Sequence, residues 1–437
     1  MEGTSATTVL ADVAVVLLAG VALTPLRTRL RQPVVIGEVA VGVLLGHGVL
    51  GLLPGDPTER LFPPAARAHL SVIAQLGIAL FMFAAGWELD LRRLAGRART
   101  VLAVTTASVA LPFALAAAVA AVLLARHPAL AGPAATPALF TVFLGIALSA
   151  SALTVLTRIV EENRLQADGT GALAVACGAL TETALWCAVA ALSAATHGAD
   201  GGLPLALARI AGYAAALALV VRPLLRRLLR GPSGRTTGVR GRHLTLLAVA
   251  SGALLSAWTA SLLGLHAVIG AFAFGLAMPR DTGEELRQAV QLPLRNAGAL
   301  LVPVFFALTG LSVDLHGLGT GGLLAAAALL GIAWGGKFAG ALFAARLTGV
   351  PRREAATLAV LLNTKGLGEV LILTLGRDLG IIGERFFTIL LLTALAATLP
   401  VNPLIHRLTG RAPVPAPRPL LEAPAPAPAP APGAPGG

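Results

Sequence analysis

The sequence predicts an all-α polytopic membrane protein with about 13 transmembrane helices, and three observations carry the prediction. Of the 437 residues, 56% are hydrophobic and 12% charged, roughly half the charge of an average soluble domain. The apolar residues gather into thirteen runs of about 16–26 residues, close to the ~20 that a bilayer span needs. The loops between runs alternate in charge, with 25 arginines on one side of the predicted membrane and five on the other. The positive-inside rule puts the arginine-rich loops in the cytoplasm. The N-terminus is then outside, the C-terminus is inside, and the number of spans is odd. The net charge of +12 thus reads as topology in a cell membrane, with bilayer lipid as the partner and no nucleic acid.

The first run, 8–26, is long and is preceded by Glu2 and no basic residue, unlike a cleavable signal. The second and third, 33–53 and 70–89, carry Glu38 and Glu88 near cytoplasmic ends, where water or loop arginines satisfy them. The fourth is 100–125, and the fifth, 138–157, reads LGIALSASALTVLTRI across its polar part. The sixth, 170–194, holds Thr181 and Glu182. Its Cys177 and Cys187 are separated by about 15 Å of helix axis, too far to pair within that helix, and both read as small core residues. The seventh, 203–221, contains Arg209, close enough to an end to snorkel. An arginine-rich loop, 222–242, follows. The eighth is 243–263, and the short ninth, 264–279, opens at His266, placed to cap or pack. The tenth, 296–313, and the eleventh, 321–345, follow, with Lys337 in the latter. The twelfth, 354–376, contains LLNTKGLGEV, and the thirteenth is 386–406. Residues 412–437 are almost entirely Pro, Ala and Gly, and read as a disordered cytoplasmic tail without a nucleotide-binding regulatory domain. Gly317, Gly319 and Gly322 match GxGxxG only formally, since no strand precedes them.

With the seventh run as linker, runs 1–6 and 8–13 form two sets of six with opposite orientation, the pattern of an inverted repeat. The fifth and twelfth runs occupy corresponding positions, and both read as broken helices. One carries Ser149, Ser151, Thr154 and Thr157; the other carries Asn363, Thr364, Lys365, Gly366, Gly368 and Glu369. Such residues weaken a helix at mid-depth and free backbone groups, tolerated there only when buried or lining a cavity. Helix packing through small residues is the plainer alternative.

Only two of the 33 basic residues are lysines, and Lys337 and Lys365 both lie deep in apolar runs. With Glu182 they sit about 13–18 Å from a membrane face, near the midplane. Ionisable groups at that depth are costly and mark function by default. Desolvation disfavours the charged carboxylate and a nearby ammonium favours it, so one group can exchange a proton for a cation. Protonated, Glu182 is neutral and holds no ion; charged, it binds Na⁺ or K⁺ with oxygens such as those of Thr181, Ser151 and Thr154. Lys337 is the expected charge partner of Glu182, and Lys365 is spaced to pair with Glu369 one turn away. No cofactor is implied beyond the transported H⁺ and Na⁺ or K⁺.

Several segments in order resemble the monovalent cation:proton antiporters of the second group, which include Kef-type and plant cation/H⁺ exchangers. They are PVVIGEVAVGVLLG (33–46), LGIALFMFAAGWELDL (76–91), GLHAVIGAFAFGLAMP (264–279), VPVFFALTGLSVDL (302–315), GGKFAG (335–340) and LLNTKGLGEV (361–370). The resemblance covers about residues 8–410 and implies an antiporter fold with two broken, crossing helices, a transporter rather than an enzyme. It also implies a homodimer, a dimerisation bundle (1–95 and 243–315), a linker helix (203–242) and an ion-translocating core (100–194 and 321–408) that moves like an elevator, all within residues 1–411. The family's ion-binding pair falls on Thr181-Glu182 and its nearby basic residue on Lys337. Departures are Glu for the usual Asp, Thr for the preceding Asn or Asp, Ser151-Ala-Leu-Thr154 without the usual proline, and His47 for a proline. A single acid in the pair implies electroneutral exchange. The altered Thr-Glu pair leaves proton-coupled export of an organic cation or natural product on the same fold as the alternative. Gly366-Leu-Gly-Glu369 faintly matches an intramembrane protease motif, but the sole tyrosine, Tyr213, lacks the aspartate that chemistry requires.

Overall fold

The computed structural model describes residues 3–29, 34–46, 49–52, 54, 57–88, 97–165, 169–197, 202–230, 239–279, 286–313 and 318–410. The tail at 412–437, residues 231–238 of the arginine-rich loop and Gly317 lie outside the described residues. The described chain is helical almost throughout, as the apolar runs require in a solvent that cannot bond free backbone groups. In order the α-helices are α1 (Gly3–Arg29), α2 (Val34–Leu45), α3 (Pro57–Leu61), α4 (Pro64–Glu88), α5 (Ala98–Arg126), α6 (Pro137–Ser149), α7 (Leu153–Glu162), α8 (Gly169–His197) and α9 (Gly202–Ala216). They continue as α10 (Arg222–Arg230), α11 (Val239–Leu262), α12 (Ala267–Ala277), α13 (Leu292–Leu311), α14 (Gly319–Leu347), α15 (Arg352–Leu361), α16 (Leu367–Asp378), α17 (Glu384–Thr398) and α18 (Val401–Thr409).

Ten helical stretches among the described residues are long and apolar enough to cross a bilayer. The other three apolar runs form the short α2 and α12 and the interrupted pair α15–α16. Local chemistry explains several ends. Pro137 opens α6, and the Leu139 N–H donates to the Thr136 hydroxyl at 3.2 Å, an N-cap. Gly349 closes α14 with φ 86°, and the Val350 N–H donates to the Ala345 carbonyl at 3.0 Å. The ninth run begins its helix only after His266, whose ring accepts from the Val268 N–H at 3.3 Å and so acts as the cap.

The helices pack in two groups. In one, α4 lies against α12 and α13, α2 against α1 and α13, and α11 against α12. Small residues permit the close approach: a Cβ at Gly86 would lie 2.3 Å from the Phe272 carbonyl oxygen, and one at Gly275 2.1 Å from that of Phe83. In the other group, α14 lies against α5, α15 and α17, and α8 against α5, α6, α7 and α15. An antiparallel bridge between Ala131 and Ile382 joins the loop before α6 to the loop after α16.

Candidate functional site

Two helices are interrupted within the second group, and their breaks touch. The chain is extended at Ala150 and Ala152, between α6 and α7. Residues 362–366 separate α15 from α16. The Ala152 N–H donates to the Thr364 carbonyl at 3.0 Å, and the Ser151 hydroxyl donates to the Leu362 carbonyl at 2.7 Å. Each break thus satisfies backbone groups that the other frees, so irregular chain is stable at this depth.

The end of α6 is capped by both lysines. Lys365 Nζ donates to the carbonyls of Ala147 at 3.2 Å and Leu148 at 3.4 Å. Lys337 Nζ donates to those of Ser149 and, at 3.0 Å, Ala150. Two ammoniums therefore meet the negative end of one half-helix. Lys365 also forms an ion pair with Glu369 at 2.6 Å. The end of α15 is capped by neutral groups instead: Asn363 Nδ2 donates to the Ala359 carbonyl at 3.0 Å and the Thr364 hydroxyl to that of Leu361 at 2.9 Å. Thr398 pins the second break, its hydroxyl accepting from the Lys365 N–H at 2.9 Å and donating to the Lys365 carbonyl at 3.0 Å.

Glu182 reaches from the middle of α8 to the start of both following half-helices. Its Oε2 accepts the N–H of Leu153, the first residue of α7, at 3.1 Å. Its Oε1 faces Gly368 in the first turn of α16, where a Cβ would lie 3.2 Å away. Helix N-termini favour negative charge, so the carboxylate lies where two dipoles stabilise its charged form. Only 8% of Glu182 is exposed. The neighbouring Thr181 is buried, and its hydroxyl has no hydrogen-bond partner among the described residues. The same holds for Asn363 Oδ1 and Glu369 Oε2. Thr154 is half-buried in the first turn of α7, and its carbonyl accepts from the Thr157 hydroxyl at 3.0 Å.

The geometry corrects two expectations. Lys337 forms no ion pair with Glu182, because its ammonium is taken by the carbonyls that the break in α6 exposes. Cys187 is exposed, unlike the buried Cys177, since position 187 falls on the outer face of α8. Two residues escaped the sequence reading. Trp186, one turn from Glu182, is buried, and its ring lies 6.1 Å from that of Phe272 in α12. Asp12 in α1 is buried, with Oδ2 unpartnered among the described residues. Its signal was there to read, as a lone acid inside an apolar run.

Residues 13–406 match the family described as sodium/hydrogen exchanger, transmembrane. The chain is 33% identical over 390 residues to Cation/H(+) antiporter 20 of Arabidopsis thaliana, which covers 86% of this chain and 45% of the plant protein. It is 32% identical over 395 residues to K(+)/H(+) antiporter 1 of Saccharomyces cerevisiae, covering 86% and 43%. The chain therefore spans less than half the length of these two relatives. With Na(+)/H(+) antiporter NhaS4 of Synechocystis it shares 30% identity over 384 residues, covering 87% of this chain and 92% of that one. The sodium proton antiporter MjNhaP1 of Methanocaldococcus jannaschii has the same fold, with a TM-score of 0.62 at 15% identity over 93% of this chain and 95% of that one. The chain belongs to the sodium/hydrogen exchanger family of transmembrane proteins.

Proposed function

We propose that the chain is a monovalent cation/proton antiporter, exchanging Na⁺ or K⁺ for H⁺ through one shared carboxylate, Glu182. One observation carries this reading: a buried acid lies where two broken helices begin, held by the Leu153 N–H at 3.1 Å. A protonated Glu182 is neutral and releases the cation; a charged Glu182 takes it up. Thr181 supplies an unpartnered hydroxyl, and Ser151 and Thr154 add oxygens at the same break. Hard alkali cations suit such oxygen ligands. Relatives named for both Na⁺/H⁺ and K⁺/H⁺ exchange support inorganic cations as the substrate class.

The two packing groups support an elevator. In this reading residues 100–194 and 321–408 carry the site, residues 1–95 and 243–315 form the static bundle of a homodimer, and 203–242 links them. The thirteen runs cross the cell membrane with the N-terminus outside. The test is proton efflux from everted vesicles on adding Na⁺ or K⁺. Glu182→Gln abolishes it and Glu182→Asp keeps part of it; full activity in the Gln variant rules the mechanism out.

A further inference from the structure

Glycines near the crossing do not all serve packing. A Cβ at Gly366 would lie 2.6 Å from Val155 Cγ2, and one at Gly376 2.1 Å from the Phe143 ring. Both positions are closed by neighbours. Gly368 differs. A Cβ there would meet one atom within 4 Å, apart from the helix's own nearby backbone, and that atom is Glu182 Oε1 at 3.2 Å. Gly368 is buried, sits in the first turn of α16 and has no positive φ, so the backbone does not demand glycine. Glycine is also the poorer helix former. What its missing side chain provides is access of the carboxylate to the α16 N-terminus.

We propose that Gly368 is a positioning residue for Glu182: it opens a second seat for the carboxylate at the start of α16, beside the Leu153 N–H of α7. This rests on the exchange reading above. The seat stabilises the charged, empty carrier, because a helix N-terminus favours an anion there. Both the proton and the cation must draw the carboxylate away from that end. The seat therefore loosens substrate binding and speeds release, and the reach of Glu rather than Asp is what fills it.

The test uses the full chain in proteoliposomes, with Na⁺-driven and K⁺-driven proton flux read across cation concentration. Gly368→Ala sets a methyl 3.2 Å from Oε1, tighter than an ordinary contact, so the carboxylate must shift away from the α16 N-terminus by a few tenths of an ångström. The half-saturating cation concentration and the maximal rate are both expected to fall, by about threefold to tenfold. In the Glu182→Asp background the shorter acid does not reach the seat, so adding Gly368→Ala is expected to change neither. Wild-type kinetics in Gly368→Ala, a raised half-saturation, or the same shift in the Asp background each overturn the proposal. Should Gly368→Ala fail to fold, a folded and active Glu182→Asp/Gly368→Ala double variant supports it and an unfolded one overturns it. Absence of cation-driven flux in the wild type, or full flux in Glu182→Gln, removes the exchange reading instead and this proposal with it.

Discussion

Lys337 Nζ is fully buried, yet no carboxylate among the described residues pairs with it; it donates hydrogen bonds to the carbonyls of Ser149 and Ala150. A buried charge survives only when its donors are used, and here they close the end of a half-helix. Lys337→Met leaves two buried carbonyls unpaired and is expected to lower stability by about 2–3 kcal/mol. Thermal unfolding in detergent checks this, and an unchanged midpoint contradicts the capping role. Glu182, Lys337 and Lys365 were legible in the sequence because an ionisable side chain inside an apolar run stands out whatever its partner. The partner of Lys337 was not legible. It is made of backbone carbonyls, which every residue has, and only the fold decides which are left free. The Lys365–Glu369 pair was legible because it is local, four residues apart on one chain. Gly368 was visible as a glycine in a broken helix, but the proximity to Glu182 that gives it meaning joins residues 186 positions apart in sequence.

At the scale of elements, the two interrupted helices are not equivalent. The break after α6 is capped by two cations and the break after α15 by an amide and a hydroxyl. Both were visible as clusters of small and polar residues, whereas the asymmetry of their caps depends on which side chains the fold brings in. Ser151 is the stitch between them. Ser151→Ala removes one buried hydrogen bond and leaves the Leu362 carbonyl unpaired, at a cost of about 1–2 kcal/mol. The variant is expected to unfold earlier and, with one proposed ligand oxygen gone, to need a higher half-saturating cation concentration, which an unfolding curve and a set of ion-driven fluxes measure together. The ion pair obeys a different rule. Glu369→Gln leaves the Lys365 charge without its carboxylate in the interior, which costs about 3–5 kcal/mol, while an apolar replacement of both partners removes that charge but also uncaps the Ala147 and Leu148 carbonyls. Single losses at Lys365 and Glu369 that simply add in the double change would show that the pair does not act as a unit.

For the whole molecule, alternating arginine loops and thirteen apolar runs were enough to read an all-helical membrane fold. Lengths were less legible. The runs 33–53 and 264–279 contain helices of 12 and 11 residues, because Pro and Gly at their edges start and stop the helix inside the apolar stretch. Which helices pack together was not legible, since no local pattern tells a helix which partner it will meet. If one carboxylate carries either one proton or one monovalent cation, a full cycle moves no net charge. Collapsing or imposing a membrane potential across proteoliposomes is then expected to leave the exchange rate unchanged. The central claim is that proton and cation compete for Glu182. The most direct measurement is the cation dependence of proton flux in proteoliposomes at several values of pH equal on both sides. Competition predicts that the half-saturating cation concentration rises steadily as pH falls, with no flux at any pH in Glu182→Gln. A half-saturation that does not change with pH, or flux that survives in Glu182→Gln, contradicts it.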